Sequence, residues 1–415
     1  MSRQIAVVGA GMAGARFAQQ YQALGGDGEV VLYGAEPRGP YNRVLLADVL
    51  TGRYDPEAIA LPYGAGTLMR GGCEVVGLDP VLRELRLAGG ESAHYDELVL
   101  ATGANPVLPP LRGLHAPNGL KAGVHAFRTL ADCARLAEDA AGAERAVVIG
   151  GGVLGVSAAR ALAALGLPVE IVHQAPHLID RHLDEQAGHA LRGSLAALGV
   201  ETYPDNRARA LHGGARVTGV ELASGYLLEA DLVVLACGVR PRTGLAGAAG
   251  LAVRSGVVVD DRLAASAPGV YAIGDCAEHR GIVHGLTGPA WDQADLLAAR
   301  LAGTDHDVRY TGSRPLTRLT AGPLEYAAFG EVGENLPGTD VLRLVDPTRG
   351  SYKKLVLRGD RLVGGILLGD LAAVGTLTRA YERDDPLPPE PLDLLVGTPY
   401  RHPMTVCTAT RGARP

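Results

Sequence analysis

Two glycine-rich turns are the parts of this sequence best suited to chemistry. Gly9-Ala-Gly-Met-Ala-Gly14 follows the apolar run Ile5-Ala-Val-Val8, and Gly150-Gly-Gly-Val-Leu-Gly155 follows Ala146-Val-Val-Ile149. In such a turn the first glycine permits the bend, the second lets the backbone approach a pyrophosphate, and the third lets the helix pack against the strand. Because backbone N–H groups at a helix start bind anions, each turn predicts a dinucleotide site.

The residues after the two second strands differ between the repeats. Glu36 lies about 20 residues beyond Gly14, where an acid can bind a ribose hydroxyl. The corresponding place in the second repeat holds His173. This histidine could favour a 2′-phosphate, tolerate either nicotinamide dinucleotide, or be an ordinary exposed histidine at a strand end. The sequence therefore leaves NADH and NADPH both open.

A third candidate is the carboxylate of Asp275. It ends the run Ser266-Ala-Pro-Gly-Val-Tyr-Ala-Ile-Gly-Asp275, which reads as a strand. An acid there could accept a hydrogen bond from a cofactor hydroxyl. Taken alone, an aspartate at such a place is more often a helix cap.

A second pair of similar segments extends the repeat. Leu98-Val-Leu-Ala-Thr-Gly-Ala-Asn-Pro106 matches Val233-Val-Leu-Ala-Cys-Gly-Val-Arg-Pro241. The repeat therefore predicts two α/β domains with parallel sheets, each Rossmann-like. From about residue 307 to 370 the chain reads as strands with glycine turns, including a hairpin at Arg358-Gly-Asp-Arg361, which indicates a small α+β domain at the C-terminal end.

Composition excludes several classes of protein. The 415 residues are 47% hydrophobic and 20% charged, which is typical of a globular chain. The net charge of −6 argues against nucleic-acid binding. The five cysteines are far apart without a CxxC pair, so they are expected to be reduced thiols, with no zinc or iron–sulfur site and no other metal site. We expect no membrane segment, no targeting segment and a cytoplasmic location.

The order of these motifs resembles that of flavoprotein reductases that hold FAD and a nicotinamide cofactor, the pyridine nucleotide-disulfide oxidoreductase-like proteins. Within that class the chain is similar to the amino-terminal FAD/NAD module of the large subunit of assimilatory NAD(P)H nitrite reductase. The likeness covers roughly residues 3 to 370. The matching segments are Pro40-Tyr-Asn-Arg-Val-Leu-Leu46, Asp180-Arg-His-Leu-Asp184, Glu278-His-Arg-Gly281, Gly285-Leu-Thr-Gly-Pro-Ala-Trp291 and Gly350-Ser-Tyr-Lys-Lys-Leu-Val-Leu357.

The resemblance implies a glutathione-reductase-like fold. Its FAD-binding domain would be discontinuous, over residues 1–115 and 235–305, with an NAD(P)-binding domain over 116–234, a C-terminal interface domain over 306–385 and an extended tail over 386–415. The interface domain of such proteins allows a homodimer.

The resemblance also implies the cofactor-binding residues. Residues 285–291 would approach the isoalloxazine ring. The residues expected at FAD are Gly9, Gly11, Met12, Ala13, Gly14, Glu36, Arg43, Val75, Ala101, Thr102, Gly103, Gly274, Asp275 and Trp291. Those expected at NADH or NADPH are Gly150, Gly152, Gly155 and His173.

The sequence also departs from its relatives. Those that reduce disulfides carry a cysteine where this chain has Tyr41-Asn-Arg-Val-Leu-Leu46, so we expect no redox-active disulfide. Asp48 and Ser157 stand where relatives often have lysine and glutamate, so a charge pair near the flavin is expected to be missing.

The remaining polar candidates receive ordinary structural interpretations. Cys276 is expected to be a small buried thiol rather than a flavin neighbour, and the same holds for Cys73, Cys133 and Cys237. Lys353 and Lys354 are expected on a solvated strand face rather than at a docking site for an acidic carrier.

These observations favour an FAD-dependent NAD(P)H oxidoreductase that passes electrons to a separate acceptor, either a ferredoxin-like carrier or a sirohaem nitrite reductase partner. Two alternatives stay open at this stage. One is a flavoenzyme that acts directly on a small-molecule substrate in a specialised pathway. The other is a flavin-binding protein whose NAD site has decayed.

Overall fold

The computed structural model describes residues 3–314, 316–321, 324–333 and 336–396. Its amino-terminal part is built on a parallel five-stranded sheet in the order β21 (Val270–Ala272), β7 (Glu97–Leu100), β1 (Gln4–Val8), β2 (Glu29–Gly34) and β3 (Leu68–Gly71). The elements up to residue 121 are β1 (Gln4–Val8), α1 (Met12–Ala23), β2 (Glu29–Gly34), α2 (Leu46–Leu50), β3 (Leu68–Gly71), β4 (Val75–Asp79), β5 (Glu84–Leu87), β6 (Ser92–His94), β7 (Glu97–Leu100), β8 (Ala104–Pro106), β9 (His115–Ala116) and β10 (Gly119–Leu120).

A second parallel sheet of five strands follows, in the order β11-β18-β12-β13-β14, with β15, β16 and β17 forming an antiparallel sheet beside it. Its central strands, Ala146–Ile149 and Leu232–Leu235, are buried along their whole length, because helices cover one face of the sheet and the antiparallel sheet covers the other. The elements are β11 (Val124–Ala126), α3 (Leu130–Ala140), β12 (Ala146–Ile149), α4 (Val153–Ala164), β13 (Val169–Val172), α5 (Glu185–Ala196), β14 (Val200–Tyr203), β15 (Ala208–His212), β16 (Gly219–Leu222), β17 (Leu227–Glu229) and β18 (Leu232–Leu235).

The chain then returns to the first sheet. Strand β21 pairs in parallel with β7, and helix α7 packs against α1. The two repeated segments meet here, because β8 pairs antiparallel with β19, with Asn105 opposite Arg240. The returning elements are β19 (Val239–Pro241), α6 (Gly244–Ala248), β20 (Val257–Val259), β21 (Val270–Ala272), β22 (Ala277–His279) and α7 (Thr287–Leu301).

The carboxyl-terminal part is an antiparallel sheet of five strands in the order β23-β24-β27-β26-β25. Strand β23 contacts α4, while β26 and β27 contact α5, so this sheet packs on the second domain. Its elements are β23 (Leu316–Ala321), β24 (Leu324–Gly330), β25 (Asp340–Asp346), β26 (Ser351–Arg358), β27 (Arg361–Leu368), α8 (Val374–Arg383) and α9 (Asp393–Val396). The predicted fold class, two Rossmann-like domains and a small α+β domain, is confirmed.

The expectation of a solvated strand face at the paired lysines is wrong. Lys353 is 5% exposed and Lys354 is fully buried. Nζ of Lys354 donates to Oδ2 of Asp184 at 2.9 Å, and Nζ of Lys353 donates to Oδ2 of Asp370 at 2.6 Å. Both lysines therefore tie strand β26 to its surroundings, and neither is available to an external carrier.

The segment expected to form an extended tail packs on the third sheet as far as it is described. Leu387, Leu394 and Leu395 are buried. The N–H of Leu387 donates to the carbonyl of Asp360 at 2.8 Å. The remaining part of the predicted tail, residues 397–415 with Cys407, lies outside the described residues. Within the described ranges, no helix combines the length and the apolar character needed to cross a bilayer.

Candidate active site

A cavity of about 980 Å³ opens where the carboxyl ends of the first sheet meet the second domain and strand β23. Parallel sheets commonly bind their ligands at that edge. Eleven of the residues expected from sequence line it: Gly9, Gly11, Met12, Ala13, Glu36, Arg43, Val75, Ala101, Thr102, Gly103 and Asp275.

The first glycine turn forms a close-fitting cradle in this wall. Gly9 has φ +116°, and a Cβ there would lie 2.1 Å from the carbonyl oxygen of Ala101. A Cβ on Gly14 would lie 2.2 Å from the carbonyl oxygen of Gly9, because helix α1 packs against the turn. Gly11 is different, since a Cβ there would meet no atom within 4 Å and would project into open space. The turn therefore keeps its outer surface free for a group that approaches the backbone closely, as a pyrophosphate does.

Glu36 is held in place at the rim of the cavity. Its carboxylate accepts a hydrogen bond from Tyr41 Oη at 2.7 Å and one from Arg43 Nη2 at 2.5 Å. The Arg43 guanidinium also lies over the Tyr41 ring, 4.7 Å from its centroid. A third of the Glu36 side chain stays exposed. A carboxylate oriented in this way can still accept hydrogen bonds from a ribose.

Asp275 faces an arginine that sequence analysis missed. Nη2 of Arg128 donates to Oδ2 of Asp275 at 2.6 Å, and both residues line the cavity. Arg128 precedes helix α3, whose N-cap is Thr129 with a capping box to Asp132. The cap signal was visible in the sequence, but the contact of Arg128 spans 147 positions and depends on tertiary folding.

A second missed residue is Arg242. Its Nε donates to Oδ1 of Asn105, and the hydroxyl of Thr102 donates to its carbonyl at 2.8 Å. The Arg242 side chain lines the cavity and is exposed there. Partial desolvation by the cavity wall, followed by the positive charge of Arg43, lowers its guanidinium pKa. A cationic group that desolvation and a neighbouring cation destabilise in this way favours an anionic ligand.

The cavity lining as a whole is cationic, although the chain is acidic. Its charged members are five arginines and three acids: Arg38, Arg43, Arg128, Arg242, Arg318, Glu36, Glu74 and Asp275. With the glycine cradle, this charge suits a dinucleotide whose pyrophosphate carries two negative charges. The residues present therefore fit FAD.

The second glycine turn lies beside the cavity rather than in its lining. Gly150 has φ +112°, and a Cβ there would lie 2.3 Å from the carbonyl oxygen of Ala236, which repeats the arrangement at Gly9. Gly152 is the N-cap of helix α4. Residues of that helix's first turns, Val153, Leu154 and Ser157, line the cavity. Thus the two predicted nucleotide sites adjoin along helix α4.

His173 does not end strand β13 but follows it, under the second glycine turn. Its Nδ1 accepts a hydrogen bond from the N–H of Gly151 at 3.1 Å, and its Nε2 lies 3.1 Å from Oδ1 of Asp180. Only a tenth of the side chain is exposed. The histidine is therefore held by the turn and by Asp180, and it is not the freely exposed residue of the third interpretation.

Gly155, Gly274 and Trp291, like Gly14, are not in the cavity lining. A Cβ on Gly274 would come within 2.9 Å of the Ala13 Cβ, and helix α1 therefore packs closely there. The Trp291 ring carries the Arg16 guanidinium 5.7 Å from its centroid. Gly155 packs against the Gly150 carbonyl. Of the segment 285–291, the residues that do line the cavity are Gly285, Leu286, Thr287 and Ala290.

Relatives often have a lysine and a glutamate at the positions of Asp48 and Ser157. In this chain the acid is at position 48, and its cationic partner is Arg160. Asp48 is 6% exposed, and its Oδ1 lies 3.4 Å from Nη2 of Arg160, one helical turn beyond Ser157. Ser157 itself lines the cavity and donates its hydroxyl to the carbonyl of Val153 at 2.8 Å. Asp48 is therefore compensated within the protein, and Ser157 leaves the cavity wall uncharged at this point.

The described cysteines lie in different surroundings. Burial raises the pKa of the Cys133 and Cys237 thiols to about 11, and it also raises that of Cys276, which is fully buried. Cys237 and Cys73 depart from the expectation of a buried thiol, because both are half-buried, and Cys73 also lines the cavity. Its backbone N–H donates to the carbonyl of Gly34, at the same end as Glu36.

The chain matches two family models. Residues 3–294 match the model described as pyridine nucleotide-disulphide oxidoreductase, and residues 315–384 match that of the rubredoxin NAD⁺ reductase C-terminal domain. The first match covers well over half of the chain.

Named relatives agree with these models. The chain is 36% identical over 374 residues to nitrite reductase [NAD(P)H] of Bacillus subtilis, covering 89% of this chain but 46% of that protein. It is 32% identical to rubredoxin-NAD(+) reductase of Alcanivorax borkumensis, over 76% of this chain and 83% of the relative. The chain thus spans about half the length of the nitrite reductase.

A solved structure extends the likeness to the whole fold. The ferredoxin reductase for the CYP199A2 system of Rhodopseudomonas palustris superposes with a TM-score of 0.83 at 28% identity, over 94% of this chain and 96% of that one. The expected cofactors, FAD with NADH or NADPH, are those of this class of oxidoreductase. The chain belongs to the pyridine nucleotide-disulphide oxidoreductase family, as an FAD-dependent NAD(P)H oxidoreductase.

Proposed function

We propose that this chain is a cytosolic reductase that takes electrons from a nicotinamide dinucleotide and passes them, through FAD, to a separate electron-carrier protein. One observation carries the proposal. The helix that begins at the second glycine turn places Val153, Leu154 and Ser157 in the wall of the same cavity that the first glycine turn lines. A donor bound at Gly150–Gly155 therefore extends into the cavity that holds the acceptor.

The chain's own residues bind and orient the cofactor. The cradle at Gly11 and the arginines Arg128 and Arg242 meet the negative charge of the pyrophosphate, while Glu36 and Asp275 accept hydrogen bonds from hydroxyl groups. When bound, FAD supplies the ability to accept electrons in pairs and to release them singly. The protein's contribution is position and charge.

The cysteines support transfer to an external acceptor rather than through a dithiol. Cys73 is the only cysteine in the cavity lining among the described residues. Its backbone is hydrogen-bonded to Gly34, so it lies at the end of the cavity where Glu36 lies. A disulfide relay needs two cysteines beside the reacting ring. The four described thiols are also free, as expected of a protein in a reducing cytosol.

An acidic partner suits the mouth of the cavity. Arg38 and Arg318 are exposed there, and Val44, also in the lining, is 59% exposed, so the mouth offers two cations beside an exposed apolar side chain. We propose a ferredoxin-like carrier or a sirohaem-bearing nitrite reductase partner as the acceptor. A homodimer through the third domain stays a prediction.

The experiment is an anaerobic titration followed by a comparison of acceptors. The purified protein should be yellow, and NADH or NADPH should bleach its flavin absorbance without oxygen. Ferricyanide and a ferredoxin should then reoxidise it rapidly, whereas glutathione disulfide should not. The variant Arg318→Gln should slow the ferredoxin step at low salt, while reoxidation by an uncharged quinone such as menadione should change much less.

Three results would contradict this function. A folded protein that takes up no FAD lacks the flavin that the function requires, and a bound flavin that neither nucleotide bleaches indicates a decayed donor site. Rapid bleaching followed by turnover only with a small organic substrate indicates instead an enzyme that acts on that substrate directly.

A further inference from the structure

The acid beside the second dinucleotide turn, Asp180, comes several residues after strand β13 rather than directly at its end. By strand register, Val8 pairs with Tyr33 and Ile149 with Val172, so His173 occupies the place of Gly34. The position that corresponds to Glu36 is Ala175, which has no acceptor in its side chain. Neither residue provides the carboxylate that binds a ribose in the first repeat.

Two independent contacts hold the carboxylate of Asp180 beside the second glycine turn. Its Oδ1 lies 3.1 Å from Nε2 of His173. The preceding residue, Ile179, donates its backbone N–H to the carbonyl of Gly151 at 2.9 Å. Ile179 has φ +54°, a conformation that is unfavourable for a β-branched residue and is maintained only where the surroundings require it. Asp180 is therefore anchored to the glycine turn by backbone and side chain.

The hydrogen bonds of His173 determine which nitrogen carries the proton. Since the N–H of Gly151 donates to Nδ1, this nitrogen is an acceptor, and the hydrogen is on Nε2, where it is donated to Asp180. The imidazole is thus a neutral support for a charged carboxylate. The middle glycine of the turn is needed for this arrangement, because a Cβ on Gly151 would lie 2.8 Å from Cγ of His173.

The side chain of Asp180 stays available to a ligand. It is 38% exposed, so the carboxylate can accept further hydrogen bonds. The adjacent Arg181 faces elsewhere, since it lines a separate cavity of about 40 Å³ with Thr317 and Gly330 of the third domain. Asp180 therefore brings a negative charge to the turn that the neighbouring Arg181 does not offset there.

We infer that Asp180, positioned by His173, binds the adenosine ribose of the nicotinamide donor and makes the enzyme select NADH over NADPH. The inference rests on the proposed function, because it concerns the donor of that reaction. A carboxylate accepts hydrogen bonds from both hydroxyls of an unphosphorylated ribose. The same carboxylate repels a 2′-phosphate, which carries negative charge and donates no hydrogen bond in its ionised form.

The test measures binding as well as turnover. Calorimetric titration of the FAD-loaded protein with NAD⁺ and NADP⁺ gives the ratio of the two dissociation constants, and anaerobic bleaching by NADH and NADPH gives the same preference from flavin reduction. In Asp180→Asn, NAD⁺ binding should weaken about tenfold, and the preference over NADP⁺ should fall by at least that factor. His173→Phe should weaken the preference less, because the carboxylate remains but loses its support.

Matched variants separate this role from general damage. Asp180→Glu keeps the charge and should keep the preference for NAD⁺. Glu221→Gln removes a comparable carboxylate, 2.8 Å from His212 on a different sheet of the same domain, and should change neither dissociation constant. Retained FAD content and flavin absorbance show that each variant is folded.

The outcomes are distinguishable. A wild-type preference for NADP⁺ or an unchanged ratio in Asp180→Asn would each overturn the inference while the reductase function stands. A wild-type protein whose flavin neither NADH nor NADPH bleaches would overturn the proposed function itself.

Discussion

The guanidinium of Arg128 donates to the carboxylate of Asp275 at 2.6 Å, across two domains and inside the cavity wall. Arg128 belongs to the connection before helix α3 in the second domain, and Asp275 follows strand β21 in the first sheet. The pair is largely shielded, with 24% and 18% of the two side chains exposed. The expected binding acid is therefore oriented by the neighbouring domain, so we expect FAD binding to depend on the arrangement of the two domains.

Asp275→Asn and Arg128→Gln should each weaken FAD binding. A charged hydrogen bond in a shielded site contributes about 1.5–3 kcal/mol, so we expect the dissociation constant of FAD to rise about 10- to 100-fold. Quenching of flavin fluorescence during titration of the apoprotein measures this. The control is Arg135→Gln, which removes an exposed pair with Asp132 nearby and should leave the affinity unchanged. Equal losses in all three variants would contradict a specific role for Asp275.

Two glycines of the first turn should respond differently to the same substitution. Gly9→Ala requires an L-residue at φ +116° and a contact of 2.1 Å, so it should lower the free energy of unfolding by about 3 kcal/mol. Gly11→Ala meets no atom within 4 Å at a backbone φ of −89°, so stability should change by less than about 0.5 kcal/mol. Its methyl group would project into the cavity, however, so FAD affinity should fall. Urea denaturation and FAD titration of both variants check this, and a destabilised Gly11→Ala would show that the turn is not open on that side.

The parts of the structure that follow local rules could be predicted from the sequence. The glycine turns end β1 and β12, the repeated segments become β7–β8 and β18–β19, and the hairpin at Arg358-Gly-Asp-Arg361 joins β26 to β27. Strand alternation, glycine conformation and helix start signals depend on neighbours in sequence. These features can therefore be predicted without knowledge of the tertiary contacts.

The parts that depend on distant partners could not be predicted. Lys353 and Lys354 looked solvated because charged residues usually are, but Asp184 lies 170 positions away along the chain from its partner Lys354. The contribution of Arg242 to the cavity likewise depends on Asn105, far away in sequence. For the same reason, His173 alone gave no preference between nucleotides, since its contact with Asp180 requires the turn at Ile179.

Cys73 should be the most reactive of the four described thiols. Burial raises the pKa of Cys133 and Cys237 to about 11, from an ordinary value of 9.0, which lowers the thiolate fraction at neutral pH about 100-fold. Iodoacetamide at pH 7.5 should therefore label Cys73 in the apoprotein first, and added FAD should protect it because Cys73 lines the cavity. Peptide mass spectrometry assigns the labelled residue. Labelling of Cys73 that FAD does not slow would place the cofactor elsewhere.

The buried pair of Asp184 and Lys354 should make the third domain's attachment sensitive to acid. Asp184 is the N-cap of helix α5, and its carboxylate accepts hydrogen bonds from Lys354 Nζ, from Tyr352 Oη at 2.6 Å and from the N–H of Ala187 at 2.9 Å. Burial alone would raise the pKa of Asp184, but the hydrogen bonds from Lys354 and Tyr352 hold it below its usual value.

Lys354→Met should therefore cost about 3–5 kcal/mol of stability near neutral pH, since it leaves a buried carboxylate without its cation. Lys353→Met is the matched control and should cost less, because its partner Asp370 is 47% exposed and can be solvated. A group whose pKa is lowered on folding contributes stability above its unfolded pKa and loses that contribution as the pH falls. The stability difference between wild type and Asp184→Asn should therefore be full above about pH 5 and shrink below about pH 4. Urea denaturation followed by circular dichroism at several pH values measures it, and a difference that grows toward acid would show that Asp184 is protonated in the folded protein.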